Sequence, residues 1–218
     1  MIKTQYHRNL PHFQPIGEKF FITFRLYDSF FDKMIEKIIE KKNEKIQLLI
    51  NSKNENLKEQ IRTEQKHALI LIDKLLDETH EAAIHLSNDK VAEVVKKKLH
   101  EYDNEFYNLI AYCIMPNHVH LVIDTAIQLN EIEEDLLNES YIQLDKIMKY
   151  IKGGSAFEAN QILFRTGKFW QRESYDHVIR DDRELRNIIN YILQNPVKAR
   201  LVKEWQEWKY SYVNEKYL

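Results

Sequence analysis

His118-Val119-His120 stands at the start of an apolar run, directly after Met115-Pro116-Asn117. A strand sends alternate side chains to one face, so both imidazoles point the same way while Val119 packs on the other. Two imidazoles offered from a rigid strand are a partial ligand set for a divalent cation, and a further ligand has to come from elsewhere in the chain. The pair by itself also suits partly exposed structural histidines.

A second constellation lies in Leu185-Arg186-Asn187-Ile188-Ile189-Asn190-Tyr191-Ile192-Leu193-Gln194-Asn195-Pro196-Val197-Lys198. Leu185, Ile188, Ile189 and Ile192 recur at helical spacing and predict an amphipathic helix over 182–194. Tyr191 and Asn195 fall one turn apart on a shared face beside that stripe, which sets the tyrosine apart from the core positions. Pro196 disfavours helical geometry at Asn195, so the amide is expected at the helix end, turned outward.

Four blocks carry a family resemblance. They are Arg8-Asn9-Leu10-Pro11-His12-Phe13 followed by Phe21-Ile22-Thr23-Phe24-Arg25-Leu26; Met115-Pro116-Asn117-His118-Val119-His120-Leu121; Gly167-Lys168-Phe169-Trp170-Gln171-Arg172 running into Tyr175-Asp176-His177-Val178-Ile179-Arg180; and Tyr191-Ile192 with Asn195-Pro196-Val197-Lys198. In their order and spacing the chain resembles the REP-associated tyrosine transposases, a branch of the single-tyrosine HUH superfamily (U being a hydrophobic residue) with an IS200-like transposase domain. The resemblance implies a metal-dependent enzyme that nicks and rejoins single-stranded DNA at hairpin-flanked sites through a 5′-phosphotyrosine, serving DNA transposition or the mobilisation of repeats. It implies Tyr191 as nucleophile and His118, His120 and Asn195 as ligands of Mg2+ or Mn2+; two imidazoles and an amide are softer than a typical magnesium site. Retained bond energy would make rejoining independent of ATP, in keeping with a sequence that has no Gly-x-x-x-x-Gly-Lys phosphate loop.

Two other classes compete. One is a catalytically silent, domesticated protein that binds nucleic-acid hairpins. The other is a hydrolase that uses the histidines to activate water, with Asp124 the nearest carboxylate in sequence.

The formal charge of −2 argues against coating nucleic acid by bulk electrostatics, but charge can be segregated. Between Gln143 and Arg172 the positive residues Lys146, Lys149, Lys152, Arg165, Lys168 and Arg172 outweigh Asp145 and Glu158. Lys146, Lys149 and Lys152 recur at helical spacing, forming either a phosphate-binding edge or a solvated face. Trp170, Phe169 and Tyr175 are candidates to stack on bases, with a core role the alternative for Trp170 and Phe169. His177 and Arg180 suit either DNA binding or a strand edge on which Asp176 pairs with Arg180.

These side chains need a frame. The Phe/Ile/Thr-rich run Lys19 to Tyr27 predicts a first strand. Ser29 to His100 reads as helical, with a cap at Ser87-Asn88-Asp89. Phe106 to Met115 and His118 to Asp124 predict a hairpin turning at Pro116-Asn117. A helix over Leu136 to Ile151, a break at Gly153-Gly154, a short helix over Ala156 to Leu163 and a strand over His177 to Arg180 follow. The order βαββαβ is that of a ferredoxin-like α+β fold: an antiparallel sheet with helices on one face and a large helical insertion, 28–104, between strands one and two. One domain over 1–218 is expected, with the tail 197–218 packing back on the core. Cys113 reads as a small buried hydrophobe. Met1-Ile2-Lys3-Thr4-Gln5 lacks the apolar core of a signal peptide and no run reaches membrane-spanning length, so a cytoplasmic protein is expected, as a monomer or alternatively a dimer.

Overall fold

The computed structural model describes residues 5–7, 11–27, 29–52, 56–78, 83–130 and 140–218. The chain forms two compact units, Met1–Tyr27 with Ile84–Leu218, and Asp28–Ala83. The smaller unit holds two helices, α1 (Ser29–Asn51) and α2 (Leu57–Glu78). Ile35 and Leu76 are buried between them, with Ile39, Ile72 and Leu75 packed alongside.

The larger unit opens with a two-stranded ribbon, β1 (Gln5–His7) and β2 (Pro11–Phe13), too short to stand out in the sequence. Five further strands build the main sheet: β3 (Lys19–Arg25), β4 (Asn108–Ile114), β5 (His118–Asp124), β6 (Tyr175–Ile179) and β7 (Ser211–Val213). Their order is β6-β3-β5-β4-β7, and every pairing is antiparallel. Strand β5 is therefore internal, its backbone bonded on both sides, as the ferredoxin-like reading requires. The tail supplies the edge strand β7, and Trp208 donates through Nε1 to the Ile114 carbonyl at 3.0 Å.

Helix α3 (Asp89–Glu101) begins at the expected cap, where the Asn88 side chain accepts from the Lys90 N–H at 3.0 Å. It packs against α4 (Leu144–Ile162) on one face of the sheet. Tyr107 donates to the Leu99 carbonyl, and Trp170, edge-on to Phe24, donates to Ser155 Oγ at 2.9 Å, which joins both helices to that face. The expected start of α4 at Leu136 falls among residues 131–139, outside the described residues.

The expected break at Gly153-Gly154 does not occur, because α4 runs straight through it. A Cβ at Gly154 would meet Lys98 Cε at 3.0 Å and Cδ at 3.2 Å, so the missing side chain admits the α3 lysine stem to the α4 backbone. Close packing between helices, rather than chain termination, accounts for that glycine.

After β6, α5 (Asp182–Leu193) starts where the Asp181 side chain accepts from the Glu184 N–H at 2.8 Å, with Asp182 and Glu184 favourably placed in its first turn. A short α6 (Asn195–Lys198) continues its course. No helix among the described residues is long and apolar enough to cross a membrane.

Candidate active site

Strand register fixes what surrounds the histidines. His118 lies opposite Arg25 and His120 opposite Thr23, while Phe24 and Ile22 pair with Val119 and Leu121 on the other face. Both imidazoles are completely buried. Their Nε2 atoms are 3.0 Å apart. The far nitrogens are held as well: His118 Nδ1 lies 2.6 Å from Asn117 Oδ1, and His120 Nδ1 lies 2.8 Å from Thr23 Oγ1.

The Asn117 oxygen can only accept, so His118 carries its proton on Nδ1 and presents a lone pair at Nε2. Thr23 can donate or accept. When it donates, His120 Nε2–H bonds to His118; when it accepts, both Nε2 lone pairs face one another and need a cation between them. Burial pushes the His118 pKa down to about 3. Burial, then the neighbouring His118 and the Lys198 charge, hold His120 well below the ordinary imidazole range. Both rings are thus neutral at pH 7, the form that ligates metals.

Tyr191 reaches this pair from α5. Leu185, Ile189, Ile192 and Leu193 are buried and seat the helix, leaving Tyr191 half-buried at its side. Its ring centroid is 5.9 Å from that of His120, inclined at 69°. Phe21 packs beside both rings: it stacks on His120 at 5.7 Å and meets Tyr191 edge-on at 6.4 Å. His177 lies opposite Phe21 in the sheet and donates through Nε2 to Glu184 Oε1 at 2.8 Å, while Glu184 Oε2 accepts the Arg180 N–H. That clamp ties the first turn of the tyrosine helix to β6, so His177 is engaged within the fold rather than facing a ligand.

Asn195 departs from expectation. It starts α6 and is 2 % exposed instead of turning outward, because Pro196 fits the opening turn of a new helix. Its amide nitrogen is buried with no hydrogen-bond partner among the described residues, an unsatisfied group that calls for an explanation. Two neutral, oriented imidazoles fit the donor chemistry of a divalent cation.

The basic candidates gather elsewhere. Lys146, Lys149, Lys152, Lys168 and Arg172 line a cavity of about 790 Å³ with Ile22, whose side chain lies on the sheet face away from the histidines. Lys152 is engaged, donating to the Arg172 carbonyl at 2.9 Å and Ser174 Oγ at 3.0 Å. Arg165 donates to His85 Nε2 and to the Lys168 carbonyl. Trp170 is 6 % exposed and edge-on to Phe24 and Phe169, so base stacking gives way to a core role for it and for Phe169. Arg180 is exposed, and Asp176 accepts from Gln14 Nε2 at 3.1 Å. Asp124 is bound to Lys19 at 3.3 Å and lies four residues past His120, roughly 13 Å along the strand, so it is not the base a water-activating site would need. The side chain of His12 lies outside the described residues.

Comparison with known proteins decides the family. The family described as IS200-like transposase matches residues 80–195. The chain belongs to it. A relative from Haemophilus influenzae, named as a REP-associated tyrosine transposase, is 32 % identical over 129 residues, covering 53 % of this chain and 71 % of that one. The resemblance carried by the four sequence blocks is thereby borne out. A solved structure of a REP-associated tyrosine transposase bound to a REP hairpin shares the fold at a TM-score of 0.50 and 15 % identity, covering 97 % of this chain and 82 % of the other. Thr23, Asn117, Phe21 and Glu184 escaped sequence reasoning. A lone threonine in the phenylalanine-rich strand was the one available signal, and it meant nothing without the register.

Proposed function

We propose that the chain cleaves and rejoins single-stranded DNA with Tyr191 as nucleophile. The phenol oxygen bonds to phosphorus and the P–O3′ bond breaks, leaving a free 3′ hydroxyl and a 5′ phosphate on the tyrosine; an incoming 3′ hydroxyl reverses the step. The observation that carries this reading is the half-exposed Tyr191 ring 5.9 Å from the ring of buried His120, in a chain of a transposase family. His118, His120 and Asn195 would hold a magnesium or manganese ion. Such an ion neutralises and orients a scissile phosphate when bound. Thr23 and Asn117 fix the imidazole rings, Phe21 packs against both His120 and Tyr191, and the clamp of His177 and Glu184 holds the helix that delivers the tyrosine. Hairpin-bearing DNA as substrate is supported by the related structure, which is bound to a REP hairpin. Lys149, Lys168 and Arg172 supply positive charge for its phosphates. We take the working form to be a cytoplasmic monomer.

The test is a denaturant-resistant adduct between the purified chain, manganese or magnesium, and a 3′-labelled single-stranded hairpin oligonucleotide. Tyr191→Phe should abolish it. Adduct persisting in that variant would shift the nucleophile to another tyrosine, and cleavage with no adduct would point to hydrolysis.

A further inference from the structure

The Lys198 ammonium lies over the Tyr191 ring, 4.6 Å from its centroid. The chain brings it there through a continuous helical path: Gln194 N–H donates to the Asn190 carbonyl at 3.0 Å and Lys198 N–H to the Gln194 carbonyl at 2.9 Å across the join of α5 and α6. Seven residues make nearly two turns, so Lys198 returns to the face that carries the tyrosine. Pro196 and Asn195, both buried, hold the join in place.

A further observation separates this lysine from an ordinary surface cation. It forms no ion pair with a carboxylate among the described residues, whereas Lys19, Lys98 and Lys209 pair with Asp124, Glu101 and Asp89. Lys198 is exposed, open on its outer side to an approaching anion.

We infer that Lys198 is a catalytic residue of the strand-transfer reaction, its ammonium stabilising negative charge on the nucleophile and on the phosphate it attacks. The inference rests on Tyr191 being that nucleophile. A phenolate shares its charge with its ring, and a cation over the ring face stabilises that charge. The tyrosine proton leaves to solvent water. The oxygen–phosphorus bond then forms as the P–O3′ bond breaks, and the departing 3′ oxygen takes a proton from solvent. None of the bonds of Lys198 changes in either direction. In the reverse direction the same charge stabilises the tyrosine as leaving group, so one residue serves cleavage and rejoining.

The test uses the full chain with manganese and the 3′-labelled hairpin oligonucleotide, in single-turnover adduct formation at saturating DNA. Lys198→Gln should slow the adduct by about 100-fold, the low end of what loss of one group aimed at developing negative charge costs. Lys198→Arg keeps the charge and should stay within about threefold of wild type. Hairpin affinity should change by less than about threefold in both, since other phosphate contacts supply most of it. A Lys198→Gln rate near wild type would overturn the inference while leaving Tyr191 in its role. So would Arg and Gln variants that are equally slow, because the stem and not the charge would then matter. A slow rate fully explained by weaker DNA binding would also overturn it. Wild type that cleaves without an adduct removes the tyrosine reading and this inference with it.

Discussion

Replacing Thr23 by Val keeps the branched shape of the side chain but deletes the hydroxyl that lies 2.8 Å from buried His120 Nδ1. In metal-free protein the ring nitrogen is left dry and unpaired, a loss of about 1–3 kcal/mol. For a chain of this size each kcal/mol moves the melting midpoint by about 2–4 °C, so a fall of roughly 2–12 °C is expected. The ring also loses the partner that orients it, and such partners are worth about 10- to 100-fold in metal affinity. With manganese at about 100 times the wild-type dissociation constant, wild type gains about 2.7 kcal/mol from binding, while a variant about 30-fold weaker gains only about 0.9 kcal/mol. Urea unfolding with and without manganese measures both gains, and each protein serves as its own metal-free reference, so the structural loss cancels. Equal gains in wild type and a folded Thr23→Val variant would refute the reasoning that Thr23 holds His120 as a ligand. No gain in wild type would refute the metal site itself.

Metal-free protein should lose stability as pH falls. Burial holds the His118 pKa at about 3 and His120 well below its ordinary value, whereas the unfolded imidazoles titrate near 6.5. Below that pH the unfolded chain binds protons that the folded one refuses, so stability should drop by up to roughly 1.4 kcal/mol per pH unit for each histidine. Urea unfolding between about pH 7.5 and about pH 5.5 checks this, and a flat profile contradicts it. Lys149→Ala combined with Lys168→Ala should weaken hairpin binding and reduce the salt slope by about 1.4–1.8, read by fluorescence anisotropy; an unchanged slope would mean that this cavity rim meets no phosphate. Phe164 closes α4 at a φ of 51° with its ring 99 % exposed, and the Arg165 N–H donates to the Asn160 carbonyl at 3.0 Å around it. Phe164→Gly should relieve that left-handed strain and raise stability by about 0.5–1 kcal/mol in thermal melts, and a loss would show that the ring has a partner.

The local signals survived folding and the long-range ones did not exist until folding. Alternation placed His118 and His120 on one face and the four-residue spacing put Tyr191 and Asn195 on one turn, because both follow from backbone periods of two and 3.6 residues that hold for any chain. The same logic gave α5, the β4–β5 hairpin and the ferredoxin-like order. Reading Gly153-Gly154 as a stop failed because glycine marks either a turn or a close approach, and only the Lys98 stem lying on Gly154 tells which. Asn195 was expected outside for a similar reason: Pro196 ends one helix and equally opens another.

By itself the sequence determined which side chains could ligate, attack or carry charge, and the family they mark. The tertiary structure decided their company. Register set Thr23 against His120, Phe21 packed beside both that imidazole and Tyr191, and the basic lysines went to the sheet face away from the histidines. Such pairings depend on strand order and helix placement, which are fixed by burial summed over the whole unit and leave no mark in the spacing of neighbouring residues.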